Sequence, residues 1–238
     1  EKGYVACIES LHQAKINLSV QDKNSHTPAH AAAFYGKEAV LDALHQAGVS
    51  LSEKCKKGAT PAHLAAQEGH AACITALHRA NAKLNAQLSN GLTPIHIAVR
   101  EGHLQCIDAL SKAGANLNKQ DENGYTPIHL AVQKGHAACI TALAKAGGDL
   151  TIPNKKDFMP AHTAALENKA ACITALTKAG ADLNIQESKR GLTPTHIAAL
   201  AGHVACIDAL IKAGADLDIQ VNYGYTPAHM AVIKAPLS

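Results

Sequence analysis

Tryptophan is absent from this 238-residue chain and aromatic residues make up only 3% of it, so any interior must be assembled in thin layers from alanine, leucine, isoleucine, valine and cysteine. No uninterrupted apolar run approaches the roughly 18 residues a membrane span needs, so membrane insertion is not expected. The net charge is only +3, too small to point to a nucleic-acid partner. The first residues are charged and merge directly into the pattern that follows, so no signal peptide is expected. Catalytic signatures are missing as well. There is no Gly-x-Ser-x-Gly, no glycine-rich phosphate loop ending in Gly-Lys-Ser/Thr, no His-Glu-x-x-His and no Cys-x-x-Cys. These absences predict neither an enzyme nor a cofactor site. With 47% apolar and 17% charged residues, the chain is nonetheless expected to fold.

What the chain has is a period. A Pro-x-His motif recurs with its prolines at Pro28, Pro61, Pro94, Pro127, Pro160, Pro194 and Pro227, preceded by threonine everywhere except Met159. The interval is 33 residues at every step but one; between Pro160 and Pro194 it is 34, which places one inserted residue in the stretch 186–190. A fixed period of this size marks units too small to bury their own apolar face, which stack on their neighbours instead.

The unit 90–122 shows the local logic. Thr93 can cap a helix, and Pro94 suits the first helical position because its missing amide hydrogen does no harm there. Gly102 ends that helix by turning left-handed, as do Gly36, Gly69, Gly135 and Gly202, with Asn168 as the one substitute. A second helix from about Leu104 to Ala113 carries Cys106, Ile107, Leu110 and Ala113 on one apolar stripe. Gly114 stops it, with Gly48, Gly147, Gly180, Gly214 and Asn81 in the same role. The stretch from Ala115 through the polar turn 120–124 reads as an extended hairpin leading to the next Thr-Pro.

The succession Gly-x-Thr-Pro-x-His-x-Ala, Gly-His, an apolar helix and Gly-Ala-x-Leu-Asn resembles the ankyrin repeat over essentially the whole chain. That resemblance implies an all-α solenoid of stacked helix-turn-helix units with β-hairpin loops, whose concave face of hairpin tips and first helices binds another protein. We divide residues 1–238 into one array: a partial repeat 1–23, full repeats 24–56, 57–89, 90–122, 123–155, 156–189 and 190–222, and a partial repeat 223–238. The alternative is a targeting or regulatory module of a larger enzyme, channel or secreted bacterial effector, because near-identical alanine-rich units are similar to ankyrin proteins that intracellular bacteria deliver into host cells. The family context also points to Asn184, with Leu176, Asp182 and Leu183 around it, as a hydroxylation site.

Fifteen histidines and seven cysteines invite a metal reading. Stacked helices lie about 8–10 Å apart, whereas zinc ligands lie about 2.0–2.3 Å from the ion. No metal site is therefore expected. The motif histidines are read as bonding the threonine hydroxyl of their own first turn and a neighbouring backbone group, a variant of the capping box, and His70, His103, His136 and His203 as a second structural ladder. Cys7, Cys73, Cys106, Cys139, Cys172 and Cys206 share one repeat position with Val40, so they are expected to be buried, unpaired thiols, which suits a reducing cytoplasmic compartment or a host cytosol. Cys55, beside Lys54, Lys56 and Lys57, is read as a surface residue of a hairpin tip.

Residues that break the internal consensus are the candidate partner-binding set. Tyr125, Phe158 and Tyr225 precede the Thr-Pro position, Leu92 and Leu192 occupy the same place, Tyr223 lies at a tip, and Phe34 and Tyr35 end a first helix. Arg100 joins them from a first helix. Leu88 and Val221 put further apolar groups where the family has aspartate; only Tyr4 falls elsewhere. Basic tips at Lys54, Lys56 and Lys57, at Lys155 and Lys156, and at Lys189 and Arg190 suggest an acidic ligand surface or a solvated edge. The unit from Lys156 departs most from the others, with Met159, Asp157 and Asn168-Lys169 in place of threonine, glycine and Gly-His, and is the expected weak point. By register, residues 1–3 end a first helix and the helix at Thr226 reaches Pro236 without a partner, so a fragment of a longer protein is expected.

Overall fold

The computed structural model of the chain describes residues 2–233. They form fourteen α-helices. After α1 (Lys2–Gln13), short first helices alternate with second helices. The first helices are α2 (Pro28–Phe34), α4 (Pro61–Gln67), α6 (Pro94–Glu101), α8 (Pro127–Lys134), α10 (Pro160–Leu166), α12 (Pro194–Ala201) and α14 (Pro227–Ile233). The second helices are α3 (Glu38–Gln46), α5 (Ala71–Arg79), α7 (Leu104–Lys112), α9 (Ala137–Lys145), α11 (Ala170–Lys178) and α13 (Val204–Lys212). Pro236 lies outside the described residues, and Gly3 lies within α1 and does not end a helix.

Two compact units are distinguished, one up to Glu122 and one from Asn123 onward, dividing at a repeat boundary. In the first, α2, α4 and α6 stack in series and α1, α3, α5 and α7 form the layer beside them. In the second, α8, α10, α12 and α14 form one layer and α9, α11 and α13 the other. The interior first helices are apolar nearly all round, so residues 94–99, 127–132 and 194–199 are wholly buried. The second helices bury one stripe, as in Cys106, Ile107 and Leu110 or Cys172, Ile173, Ala175 and Leu176.

Three positions per unit require left-handed backbone, and the sequence supplies residues that tolerate it. Asn168 stands at a first-helix stop with φ 53°, Asn81 at a second-helix stop with φ 54°, and Asp157 at a loop glycine position with φ 67°. Lys15 and Ser25 adopt the same conformation at equivalent places in the first unit.

The connecting loops differ from the expected hairpins, since no strand occurs among the described residues. The loops close on themselves with two backbone bonds, such as Cys55 N–H to the Ala59 carbonyl at 2.9 Å and Gly58 N–H to the Cys55 carbonyl at 2.8 Å, and several reach the preceding loop with one more, such as Lys56 N–H to the Asn24 carbonyl at 2.9 Å. These bonds fix a turn but make no ladder.

The first residue of each loop explains why aspartate gives way to such different types. Its side chain points into the loop base. Asp22 accepts the Asn24 and His26 amides, both at 2.8 Å, and Asn154 accepts those of Lys156 and Phe158. Cys55 and Val221 bury apolar groups in that place, and Leu88 is half-buried there. Cys55 is thus interior, correcting the surface assignment made from its lysine neighbours.

Glu187 carries no periodic signal in the sequence. It is only 2% exposed, and its longer side chain accepts the amides of Lys189, Arg190 and Leu192 across the loop that carries the inserted residue. The extra residue is absorbed there without disturbing the helices.

All seven cysteines are free thiols. The Cys106 sulfur lies 3.9 Å from the Ala65 carbonyl of the preceding first helix, and Cys172 sits likewise on Val132. Cys7 departs from its expected burial: no first helix of a preceding repeat covers α1 among the described residues, and Cys7 is exposed.

Candidate protein-interaction face

Two ladders of histidines hold repeats together. In the threonine-capped units the Thr amide and hydroxyl both donate to Nδ1 of the histidine three residues on, at 3.1 and 2.9 Å for Thr27 and His30. The opposite nitrogen, Nε2, then carries the proton and donates to the next loop: His30 to the Ala59 carbonyl at 3.0 Å, His129 to Phe158 at 2.9 Å and His196 to Tyr225 at 3.1 Å. One ring therefore caps its own helix and fixes the loop of the following unit. Burial pushes the His30, His162 and His196 pKa values down, and that of His63 down to about 4.

The second ladder works at the other helix end. His70 donates from Nε2 to the Phe34 carbonyl and His103 to the Gln67 carbonyl, both at 3.0 Å, satisfying the ends of α2 and α4. The His70 ring lies so close over Gly36 that an added Cβ would stand 2.9 Å from it. Among the described residues no three histidine, cysteine, aspartate or glutamate side chains are grouped as a metal ion requires.

The irregular unit lacks half of this machinery. Met159 has the extended N-cap backbone but no hydroxyl, and Nδ1 of His162 is buried without a partner, although its Nε2 still reaches the Leu192 carbonyl at 3.0 Å.

With the histidines accounted for, the consensus-breaking residues sort by exposure. Leu92 and Leu192 are 8% and 2% exposed. They fill the loop base, which corrects their expected place among exposed contacts, and Val221 at 5% is buried too. Tyr125 and Phe158 are half-buried, each with one face stacked on its own motif histidine at centroid distances of 5.6 and 5.7 Å. Tyr225 stacks the same way on His229 yet is 43% exposed, and Tyr223 is 83% exposed. In the first unit Phe34 and Tyr35 pack edge-to-face and remain 38% and 66% exposed. Arg100 is ion-paired with Glu101 at 2.8 Å. Asn184 is exposed, and its side-chain carbonyl accepts the Asp216 amide at 2.8 Å, tying one repeat to the next.

Stacked helix pairs joined by bonded loops, with aromatic groups left outside a fully committed scaffold, define a tandem-repeat protein of the interaction-module class. The chain belongs to the ankyrin-repeat family: a family model for three-copy ankyrin repeats matches residues 1–87, 67–154 and 161–237. The ankyrin repeat domain of Bcl-3, a member of the IkappaB protein family, is similar in structure with a TM-score of 0.79 at 25% identity, over 88% of this chain and 95% of that one. The human ASB11 ankyrin repeat domain is similar with a TM-score of 0.69 at 29% identity, over 90% of this chain and 94% of that one. None of the curated proteins matches the chain in sequence. Ankyrin-repeat domains are generally protein–protein interaction modules and typically not enzymes. No described helix is long and apolar enough to cross a membrane.

Proposed function

We propose that the chain is a scaffold that binds a partner protein through its inter-repeat loops and first helices. The observation that carries this reading is the loop of the second unit that exposes 83% of Tyr223, at a tip position where Asn123, Lys156 and Arg190 are exposed as well, while its backbone is fixed by the Val221–Tyr225 bond and by the Asn222 amide on the Arg190 carbonyl. Rigid aromatic groups offer large contact area at low entropic cost, and such anchors dominate interface energies. Tyr125 and Phe158, half-buried against their histidines, supply the flank of the same unit's face. Phe34 and Tyr35 supply a corresponding aromatic pair in the first unit, and Arg100, two repeats on, a further point of contact.

The test is affinity capture with the whole chain as bait, comparing wild type with Tyr223→Ala/Tyr225→Ala and with Phe34→Ala/Tyr35→Ala, folding being checked by far-UV circular dichroism. Loss of specifically captured proteins in at least one folded variant is the expected result. Unchanged capture by both would remove these aromatics from the interface.

A further inference from the structure

We infer that the loops of the second unit recognise an acidic peptide segment of the partner protein, one that pairs carboxylates with an apolar anchor. This rests on the proposed loop-face reading and adds the chemistry of what docks there. Lys155, Lys156, Lys189 and Arg190 crown two successive loops, and all four side chains are exposed. Their backbone is held in place: the Lys155 amide donates to the Asn123 carbonyl, and the Arg190 and Lys189 carbonyls accept from the Asn222 amide and side chain, each at 3.1 Å.

Two acidic residues lie in these same loops, and both are turned to internal work. Glu187 is buried and its oxygens take three loop amides. Asp157 accepts the Ser188 amide, linking the two loops. Arg190 approaches Glu187 only to 3.9 Å and stays 60% exposed. The positive charge of the crown is therefore directed outward.

Each crown sits beside an apolar group. Phe158 follows Lys155 and Lys156, and the next loop presents Tyr223 and Tyr225 beside Asn222. A segment crossing these loops meets cations and then the exposed Tyr223 ring at the next tip. Carboxylates satisfy the first and an aromatic or aliphatic anchor the second, and charge complementarity of this kind sets encounter rate and register. The chain's net charge of only +3 is short of the strongly basic footprint that a nucleic-acid occupant would need.

The experiment measures fluorescence anisotropy of a labelled peptide alternating Glu-Glu with Phe-Leu, against its Gln-Gln and Lys-Lys counterparts and a labelled single-stranded oligonucleotide, using the whole chain at low and high salt. The glutamate peptide should bind tightest, and Lys155→Glu/Lys156→Glu/Lys189→Glu/Arg190→Glu should weaken it about tenfold or more and flatten its salt dependence. Because Arg190 neighbours Glu187, the triple variant that keeps Arg190 provides a second folded test. Tyr223→Ala/Tyr225→Ala should lower affinity without changing the salt slope. Equal binding of the glutamine peptide, indifference to charge reversal, tighter binding of the oligonucleotide, or no binding of the glutamate peptide would each overturn the inference. If the charge variants still capture the partner while the tyrosine variant does not, the loop face remains a protein-binding face and only its acid preference falls.

Discussion

Replacing Met159 by threonine isolates the contribution of one hydroxyl, because the backbone is already in place. Met159 has φ −70° and ψ 165°, and the threonine caps of α2, α4, α6, α8 and α12 have ψ between 166° and 170°. No rearrangement is needed to bring Oγ1 to His162, whose Nδ1 is buried and unpaired. The substitution supplies an N-cap and a partner for a desolvated nitrogen, offset by the loss of a half-buried methionine. Caps are worth about 0.5–2 kcal/mol and a buried unsatisfied group costs about 1–3 kcal/mol. A net stabilisation of about 1–2 kcal/mol is expected after the lost methionine packing is subtracted. Urea denaturation followed by circular dichroism should show a raised midpoint at unchanged slope. Native-state hydrogen exchange should slow about tenfold in α10, since about 1.4 kcal/mol is a factor of ten. Thr126→Met at the equivalent place in α8 should destabilise by a similar amount. An unchanged or lowered midpoint for Met159→Thr would refute the claim that the missing hydroxyl costs stability, and with it the assignment of this unit as the weak one.

Two further predictions follow from the buried ladders. His30, His63, His162 and His196 have folded pKa values below the ordinary 6.5, so the unfolded chain binds protons that the folded chain refuses. Their stabilisation is complete above about pH 6.5 and is lost as pH falls toward the folded values, about 3 kcal/mol for His63 on reaching its value of about 4. A urea midpoint that stays flat from neutral pH to about pH 5 would contradict this. Among the thiols, burial raises Cys139 and Cys206 and pushes Cys106 and Cys172 up to about 11, whereas Cys7 is exposed. Iodoacetamide should modify Cys7 rapidly and the other six only on unfolding, as peptide mass mapping would show; rapid modification of Cys55 would contradict its place inside the loop.

The repeat, the helix starts and the helix stops were legible in the letters because they depend on local backbone chemistry. Proline at the first helical position, threonine before it and glycine or asparagine after it act within a few bonds, and the 33-residue period repeats them. The capping role of the motif histidines was legible for the same reason. A second bond to a neighbouring backbone group was expected as well, but which carbonyl accepts it, about one repeat away, is decided only once units stack. Exposure likewise belonged to the tertiary structure. Leu192 and Tyr125 hold equivalent places before Thr-Pro, yet one is 2% exposed and the other half-buried, a difference that their shared sequence context does not encode. Lysine neighbours in sequence suggest a superficial Cys55, but neighbours in sequence are not neighbours in space, and its loop turns the side chain inward. Glu187 escaped notice because a single glutamate has no periodic signal until the inserted residue folds around it. Sequence alone set what each residue does to its own turn of backbone; the stacking of turn upon turn decided which side chains remained outside to meet another molecule.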